Sequence, residues 1–485
     1  MRYSRRMRYH SIIMNVADKA SHQDIHSLIN IAVVGHTNTG KTSLIRTMLR
    51  SNQFGKIEDG AGTTRHVERA TIFADNEAIL NLHDTPGIED SHALLRQLKS
   101  IGTHHKSFSP IEILEKFIAT TSIDDPLEQE AKVIRQILRS DVLLYIIDVR
   151  EPVLEKYLIE IEILSKAMKP IIPVFNFIAN HTAELAIWRK KLAAFNLHTS
   201  LEFDTVAFSF EAEKRLYQKL QTLVESHYDQ LQKLINYRAT VWDQLCLSAA
   251  KRIVELIVSV ACYRESKRNQ NDSHANSTAA QKLKDFVRKS EQSCLRDLLT
   301  IFNFSEKDIA LQKIPVSNGQ WQLDIFAPGV LKAYGLDIGS AALKGAATGA
   351  GIDLMVGGLS LGAATALGAI AGTGWSTFKR YGKEIKAKIQ GMQWLCADES
   401  TLQILYIRQQ QLLSKLMHRG HAAYQVDQID TATVSASEKL PSNWPDIIST
   451  LQQNPAWDKP SSARNQDPQY QSIEAKLINA LLANG

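Results

Sequence analysis

Four short apolar runs lie between residues 30 and 225, and longer stretches with helical character separate them. The runs are Ile31–Val34, Ile79–His83, Val142–Ile147 and Ile171–Phe175. Strands of a parallel sheet that helices cover on both faces read as continuous apolar runs. The order therefore predicts an α/β domain with a doubly wound, mostly parallel sheet. The connection over about 90–140 is an insertion longer than such a fold needs, and it is predicted to be helical at its ends and polar at its centre.

From about residue 226 the apolar positions recur every three or four residues. This spacing places them on one helix face and predicts a mostly α-helical domain over 226–425, interrupted by a polar loop at Lys267–Ala280. Residues 426–485 contain several prolines and are predicted to be a loosely ordered tail that ends in a short amphipathic helix. Residues 1–29 form an N-terminal extension, in which Met14 is an alternative start. The positions that define the two helices are Trp242, Cys246, Ala250, Ile253, Ile257 and Ala261, and then Ile473, Leu477, Ile478 and Leu481.

Composition narrows the class of protein. The 485 residues, 44% hydrophobic and 22% charged, predict a globular chain of two or three domains. A net charge of +5 gives no dominating field for nucleic acid. Four arginines in the first ten residues leave open an RNA-binding or membrane-binding arm beside a frayed terminus. The four scattered cysteines favour a reducing cytosol and argue against metal or redox chemistry.

A phosphate-binding motif follows the first apolar run directly. It fits the pattern G-x-x-x-x-G-K-[ST], whose glycines let successive backbone N–H groups approach phosphate oxygens. Lys41 is predicted to neutralise the β- and γ-phosphates, and the Thr42 hydroxyl to coordinate Mg²⁺. The predicted nucleotide-binding residues here are Gly35, His36, Thr37, Asn38, Thr39, Gly40, Lys41, Thr42 and Ser43.

A second motif, Asp84-Thr85-Pro86-Gly87, closes the second apolar run. Alone, Asp-x-x-Gly is common in turns. About forty residues after a P-loop, however, its aspartate is placed to hold Mg²⁺ through water, and its glycine amide to sense the γ-phosphate. We therefore predict Asp84 as a metal-binding residue and Gly87 as part of the catalytic site.

Between the two motifs the chain reads Gly62-Thr63-Thr64-Arg65. A P-loop that contains an asparagine, followed by this tetrapeptide and by Asp-Thr-Pro-Gly, resembles the TrmE–Era–EngA branch of translation-factor-class GTPases over about 30–225. The resemblance implies that Thr64, or else Thr63, is the switch threonine that contacts Mg²⁺. It also implies that Asn38 helps to hold a K⁺ ion, although a permissive loop residue is the other reading of Asn38.

The same resemblance bears on catalysis. A monovalent cation could stabilise charge in the transition state as an arginine finger does. Ile88 stands where many GTPases carry a water-positioning glutamine, a replacement that is usual in this branch. The implied catalytic residues are Lys41, Thr64, Asn38 and Gly87. More narrowly, the chain resembles, to about residue 425, a bacterial family in which this domain is fused to an uncharacterised helical domain.

The base-recognition motif departs from the family pattern Asn-Lys-x-Asp. The corresponding residues are Asn176-Phe177-Ile178-Ala179, so only the asparagine survives. Asn176 is predicted to contribute to the nucleotide site. The closing loop would fall near Val206–Ser209. The preference for GTP over ATP therefore stays open at this point.

A glycine-rich segment covers 331–378. Leu354–Phe378 carries no charged residue over 25 positions, which is long enough to span a bilayer as a helix. Glycines four residues apart suit close helix packing in lipid, and five basic residues follow between 379 and 388. A membrane surface is thus a predicted partner of 331–388, and an Ala/Gly-rich helical hairpin within a soluble domain is the alternative.

Taken together, the motifs predict a switch protein that binds GTP and GDP and hydrolyses GTP with Mg²⁺. It is predicted to be cytoplasmic, either free or peripheral at the cytoplasmic face of the inner membrane. A nucleotide-bound membrane scaffold with negligible turnover and a ribosome or RNA assembly factor are the alternatives. Against the latter, the sequence has no clear nucleic-acid-binding motif. A second copy of the chain and an unknown protein effector both stay open as partners.

Overall fold

The computed structural model divides the chain into two compact units, Met1–Trp242 with His418–Ala423 and Asp243–Met417 with Tyr424–Gly485. The residues it describes are 28–50, 67–178, 182–205, 207–267, 273–304, 316–317, 320–321, 324–326, 352–356, 393–418 and 440–483.

A six-stranded sheet forms the centre of the first unit, with strand order β2-β3-β1-β4-β5-β6. Every neighbouring pair is parallel except β2 and β3, which are antiparallel. The predicted α/β fold with a mostly parallel sheet is confirmed, and each of the four apolar runs lies in a strand. The strands are β1 Ile29–Val34, β2 Glu68–Ala74, β3 Glu77–Asp84, β4 Val142–Asp148, β5 Ile171–Asn176 and β6 Leu201–Glu202.

Helices cover the two faces of this sheet and form two separate apolar cores. Along β1, Ile31 and Val33 belong to one core, whereas Ala32 and Val34 belong to the other. This alternation follows from the strand period of two, and burial on both sides explains why the strand reads as a continuous apolar run. The helices are α1 Lys41–Leu49, α2 Ser91–His104, α3 Pro110–Thr120, α4 Glu128–Arg139, α5 Glu155–Ser165, α6 Thr182–Ala193 and α7 Phe210–Leu223.

The predicted insertion consists of α2, α3 and α4, so its centre is helical where the sequence suggested a polar stretch. A capping box starts α3: the Ser109 N–H donates to Glu112 Oε2 over 2.6 Å, and Ser109 Oγ accepts from the Glu112 N–H over 3.3 Å. Leu114 and Phe117 of this helix are fully buried.

An aromatic cluster lies where the first unit ends. The Trp242 ring stacks on Phe210 at a centroid distance of 6.0 Å and meets Phe208 edge-on at 5.4 Å. The Arg50 guanidinium lies 5.1 Å from the centroid of the Trp242 ring. Glu213, which is fully buried, accepts a hydrogen bond from the same guanidinium over 3.3 Å. Arg50 directly follows α1, so the cluster joins the end of the P-loop helix to α7 and to the helix that contains Trp242.

The second unit contains long helices and a small antiparallel sheet, β10-β11-β7. The division between the units falls within α8, which includes the predicted 242–261 face. The predicted loop at Lys267–Ala280 is wrong at its end, because α9 begins at Ser273. The further elements are α8 Tyr228–Cys262, β7 Glu265–Lys267, α9 Ser273–Ile301, β8 Val316–Ser317, β9 Gln320–Trp321, β10 Ile352–Val356, β11 Gln393–Ala397 and α10 Glu399–Met417.

The start of the uncharged 354–378 stretch is a strand and not a helix. Ile352–Val356 pairs antiparallel with Gln393–Ala397, which corrects the helical reading at 354–356. The rest of 354–378 lies outside the described residues. Within the described ranges, no helix is both long and apolar enough to cross a membrane.

The predicted loose tail is also wrong over 440–470, where the chain folds into helices. Pro445 lies in the first turn of α11, and Pro468 is the first residue of α13. The first helical turn tolerates proline because its N–H groups have no helical partner. Trp444 and Trp457 are buried. The helices are α11 Trp444–Gln453, α12 Ser462–Asn465 and α13 Pro468–Ala483, and α13 buries the four residues of the predicted terminal helix, Ile473, Leu477, Ile478 and Leu481.

Candidate functional site

The P-loop turns between β1 and α1, and its backbone requires residues that accept positive φ. Gly35, Asn38 and Gly40 have φ angles of 146°, 62° and 95°. A Cβ on Gly35 would lie 2.6 Å from the Ile146 carbonyl oxygen, and one on Gly40 would collide with the Asn176 amide. Only glycine fits these two positions, so the loop can wrap closely around an anion.

Lys41 extends back beneath the loop. Its Nζ donates to the carbonyl oxygens of His36 over 2.8 Å and Gly35 over 3.2 Å. Burial lowers the pKa of the Lys41 ammonium, and the charges of Asp84 and Glu160 oppose that shift. The loop backbone thus holds the Lys41 ammonium where it can neutralise the charge of a bound polyanion.

Thr42 and Asp84, which the sequence predicts as metal-binding residues, lie within hydrogen-bonding distance of each other. Thr42 Oγ1 donates to Asp84 Oδ2 over 2.5 Å. The other oxygen, Asp84 Oδ1, is buried without a hydrogen-bond partner in the described part of the chain. Burial raises the pKa of Asp84 to about 6, although the Thr42 hydrogen bond and Lys41 lower it. An unpartnered buried carboxylate oxygen beside a hydroxyl fits Mg²⁺, which prefers hard oxygen ligands.

Gly87 lies directly against the P-loop. A Cβ there would come within 2.7 Å of the Thr37 nitrogen and 2.8 Å of its Cα. The next residue, Ile88, is fully buried in the apolar core. Its side chain is apolar and packed in this core, so it has no group with which to orient a water molecule.

Asn176 connects the P-loop to the loop after β6. Its Nδ2 donates to the Thr39 carbonyl oxygen over 2.9 Å, and its Oδ1 accepts from the Thr205 N–H over 2.9 Å. The next residue, Phe177, has a φ of 56°. The Arg150 guanidinium lies 3.9 Å from the centroid of the Phe177 ring. Phe177, with the Arg150 guanidinium over its ring, thus occupies the position of the lysine in the family pattern.

The structure brings most of the predicted site residues together. The P-loop residues, Asp84, Gly87 and Asn176 converge at the carboxyl ends of β1, β3 and β5, which is where ligands bind in open α/β sheets. Ser43 lies in the first turn of α1 and is half-buried. The alternative switch residues Thr63 and Thr64 lie outside the described residues, as does Ala179.

Sequence reasoning missed the partners of His36. Its Nδ1 lies 2.8 Å from Glu160 Oε1, and its Nε2 lies 3.1 Å from Lys156 Nζ. Because Lys156 can only donate, Nε2 is the acceptor and Nδ1–H donates to Glu160. Glu160 is fully buried and also accepts from the Tyr145 hydroxyl over 2.9 Å. No motif marks these α5 residues, which are more than a hundred positions from His36.

Comparisons with known proteins agree with this geometry. Residues 30–177 match the family described as 50S ribosome-binding GTPase, and residues 189–479 match the domain of unknown function DUF3482. The tRNA modification GTPase MnmE of Prochlorococcus marinus strain AS9601 is 32% identical over 123 residues, which are 25% of this chain and 25% of that protein. The GTPase Der of Rhodopirellula baltica is 28% identical over 130 residues, 26% of each chain. The chain thus spans about a quarter of the length of the curated relatives it matches.

Among solved structures, Era in complex with MgGDPNP and nucleotides 1506–1542 of 16S ribosomal RNA aligns at 16% identity with a TM-score of 0.28. The alignment covers 57% of this chain and 90% of that chain. The family matches confirm the predicted resemblance: the first unit carries a GTPase domain of the group that includes MnmE and Der.

Proposed function

Because the chain belongs to the family defined by the domain of unknown function DUF3482 and carries a GTPase domain ahead of it, we propose that it is a GTP-dependent switch that hydrolyses GTP to GDP and phosphate. The observation that carries this proposal is the joint geometry of Lys41 and the Thr42–Asp84 pair. These residues place a buried cation and a metal-binding pair on either side of one glycine-lined loop. That arrangement suits a nucleoside triphosphate with Mg²⁺.

Each residue has a separate part in this function. Lys41 would exchange its carbonyl partners for β- and γ-phosphate oxygens, and the loop amides from Gly35 to Gly40 would bind the remaining oxygens. Thr42 and Asp84 would hold Mg²⁺, with Thr64 completing the set by family resemblance. Mg²⁺, when bound, neutralises charge on the β- and γ-phosphates. Asn176 would hold the P-loop against the loop after β6 through its hydrogen bonds to Thr39 and Thr205.

Asn38 supports a finer proposal about catalysis. Its side chain is exposed at the tip of the P-loop, and amide oxygens are ordinary ligands for hard cations. Since Ile88 is buried and cannot act on water, a K⁺ ion held by Asn38 would supply the transition-state charge stabilisation that this chain otherwise needs.

Lys41→Ala tests the proposed function. Loss of the only lysine of the P-loop should weaken the binding of a non-hydrolysable GTP analogue by a hundredfold or more, about 2.7 kcal/mol, and abolish single-turnover hydrolysis. Calorimetry and a quenched assay with Mg²⁺ would measure the two effects. Lys99→Ala is the matched control, because Lys99 is exposed on α2.

Equal affinity in Lys41→Ala and Lys99→Ala would reject the phosphate site. Tight binding by the native protein without measurable turnover would instead favour a nucleotide-bound scaffold. The second candidate function is ribosome or RNA assembly. It is supported by the family description, 50S ribosome-binding GTPase, that covers residues 30–177.

A further inference from the structure

The segment that follows the Asp-x-x-Gly motif is held by a residue of the inserted helices. Glu130 lies in the first turn of α4 and is 2% exposed. Its Oε1 accepts hydrogen bonds from two consecutive backbone groups, the Glu89 N–H over 3.2 Å and the Asp90 N–H over 3.1 Å. A buried carboxylate is stable only when it is well hydrogen-bonded, so this contact fixes the backbone of both residues.

Both ends of this short segment are also fixed. Gly87 abuts Thr37 of the P-loop so closely that a Cβ on it would clash, and Ile88 is anchored in the core. On the far side, Asp90 Oδ1 accepts from the Ala93 N–H over 2.8 Å and so caps α2. The four residues from Gly87 to Asp90 therefore have their backbone set by the P-loop, the core and Glu130.

A second contact links the segment to α5. Ser91 Oγ donates to the Lys156 carbonyl oxygen over 3.3 Å, and the Lys156 ammonium contacts His36 of the P-loop. The helix that positions His36 thus also touches the first residue of α2. Within the described ranges, the hydrogen bonds of the Glu130 carboxylate go to the motif segment, so its removal would change that segment without removing a hydrogen bond of the P-loop.

We propose that Glu130 is a positioning residue that keeps Gly87 where its backbone meets the γ-phosphate. The proposal rests on the GTP-dependent function given above. A triphosphate needs Gly87 in place and a diphosphate does not, so Glu130 should act on the two ligands differently. Through the Glu130 carboxylate, α4 of the insertion would thus affect how the site binds a triphosphate.

Glu130→Ala should weaken the binding of a non-hydrolysable GTP analogue about tenfold, about 1.4 kcal/mol, and leave the GDP affinity within about twofold. Glu130→Gln should keep both affinities, because its amide oxygen still accepts both N–H groups. Glu112→Ala is the matched control, since Glu112 accepts a backbone N–H in the same insertion at the start of α3. Calorimetry with each ligand gives the ratio of the two dissociation constants.

If Glu130→Ala weakens the binding of both ligands equally, Glu130 has a general structural role and the proposal is overturned. The proposal also fails if neither dissociation constant changes. If Glu130→Ala does not fold, Glu130→Asp carries the same expectation, because its carboxylate is one methylene too short for both contacts. If the native protein binds neither ligand, the proposed function fails and not the inference about Glu130.

Discussion

Base recognition rests on single side chains at the end of β5. In the family pattern an aspartate accepts hydrogen bonds from the guanine N1–H and exocyclic amine, and adenine offers no such donor pair. Ala179 cannot accept either bond from its side chain. Phe177, held by the Arg150 guanidinium, is placed to pack against a base, and stacking favours both purines.

We therefore predict weaker discrimination between GTP and ATP than GTPases of this group show. Each lost charge-assisted hydrogen bond contributes about 1.5–3 kcal/mol, so a hundredfold preference would disappear. Competition binding of GTP against ATP measures this, and Ala179→Asp should restore the preference for GTP. A native preference above about a thousandfold, or about 4 kcal/mol, would contradict the prediction.

The proposed role of Asn38 in K⁺ binding gives a second prediction at this scale. Hydrolysis of GTP should be faster in K⁺ than in Na⁺ at equal ionic strength, because the larger ion is the one that this branch holds against the phosphates. Asn38→Ala should remove the difference and leave the rate in Na⁺ unchanged. Steady-state phosphate release in the two salts tests it, and equal rates for the native protein would exclude the cation mechanism.

The sequence reveals residues whose function depends on a motif and misses those whose function depends on a distant contact. The positions of Lys41, Thr42 and Asp84 in the fold are predictable because the loop and the strands that carry them fix their spacing. Glu130 and Glu160 contact the site from α4 and α5, and each appears in the sequence as an ordinary glutamate of an amphipathic helix. Only the folded chain shows that both are buried.

Among the helices and strands, the sequence predicts those whose burial produces a regular pattern of apolar residues. The strands β1, β3, β4 and β5 were recognised as apolar runs because they are buried on both faces. The edge strand β2 alternates exposed and buried residues only in part, and β6 has two residues. Between 440 and 470 the prolines favour a loosely ordered chain, whereas Pro445 and Pro468 occupy first helical turns, which tolerate proline.

The strand Ile352–Val356 in the glycine-rich segment is likewise not predictable from the sequence. The strand has only five residues, which are too few to separate the strand period from the helical period. Pairing with β11 decides the structure at Ile352–Val356, and a partner 40 residues away leaves no local signal. Membrane association through 331–388 stays a prediction.

For the whole molecule, the open question is which large partner the switch serves. We predict that the native protein sediments with vesicles containing anionic lipid, because the basic residues from 379 to 388 adjoin an uncharged stretch. A variant lacking 361–378 should lose this binding while keeping β10. Replacing Lys379, Arg380 and Lys383 by glutamine gives the matched test of charge alone.

Ribosomes, with and without a GTP analogue, are the competing partner in the same sedimentation assay. Nucleotide-dependent pelleting with ribosomes and none with vesicles would reject the membrane prediction in favour of ribosome assembly. Equal pelleting of the native protein and the variant lacking 361–378 would show that this segment is not the anchor.

The aromatic cluster at the end of the first unit also has an optical consequence. Trp242, one of seven tryptophans, has a guanidinium and two aromatic rings as immediate neighbours. Arg50 directly follows the P-loop helix α1, and Phe208 lies in the loop that the family pattern assigns to the base. A shift of either neighbour would change the polarity and quenching around the indole. We therefore expect the emission of Trp242 to change when nucleotide binds, and comparison with Trp242→Phe would separate its emission from that of the other six tryptophans.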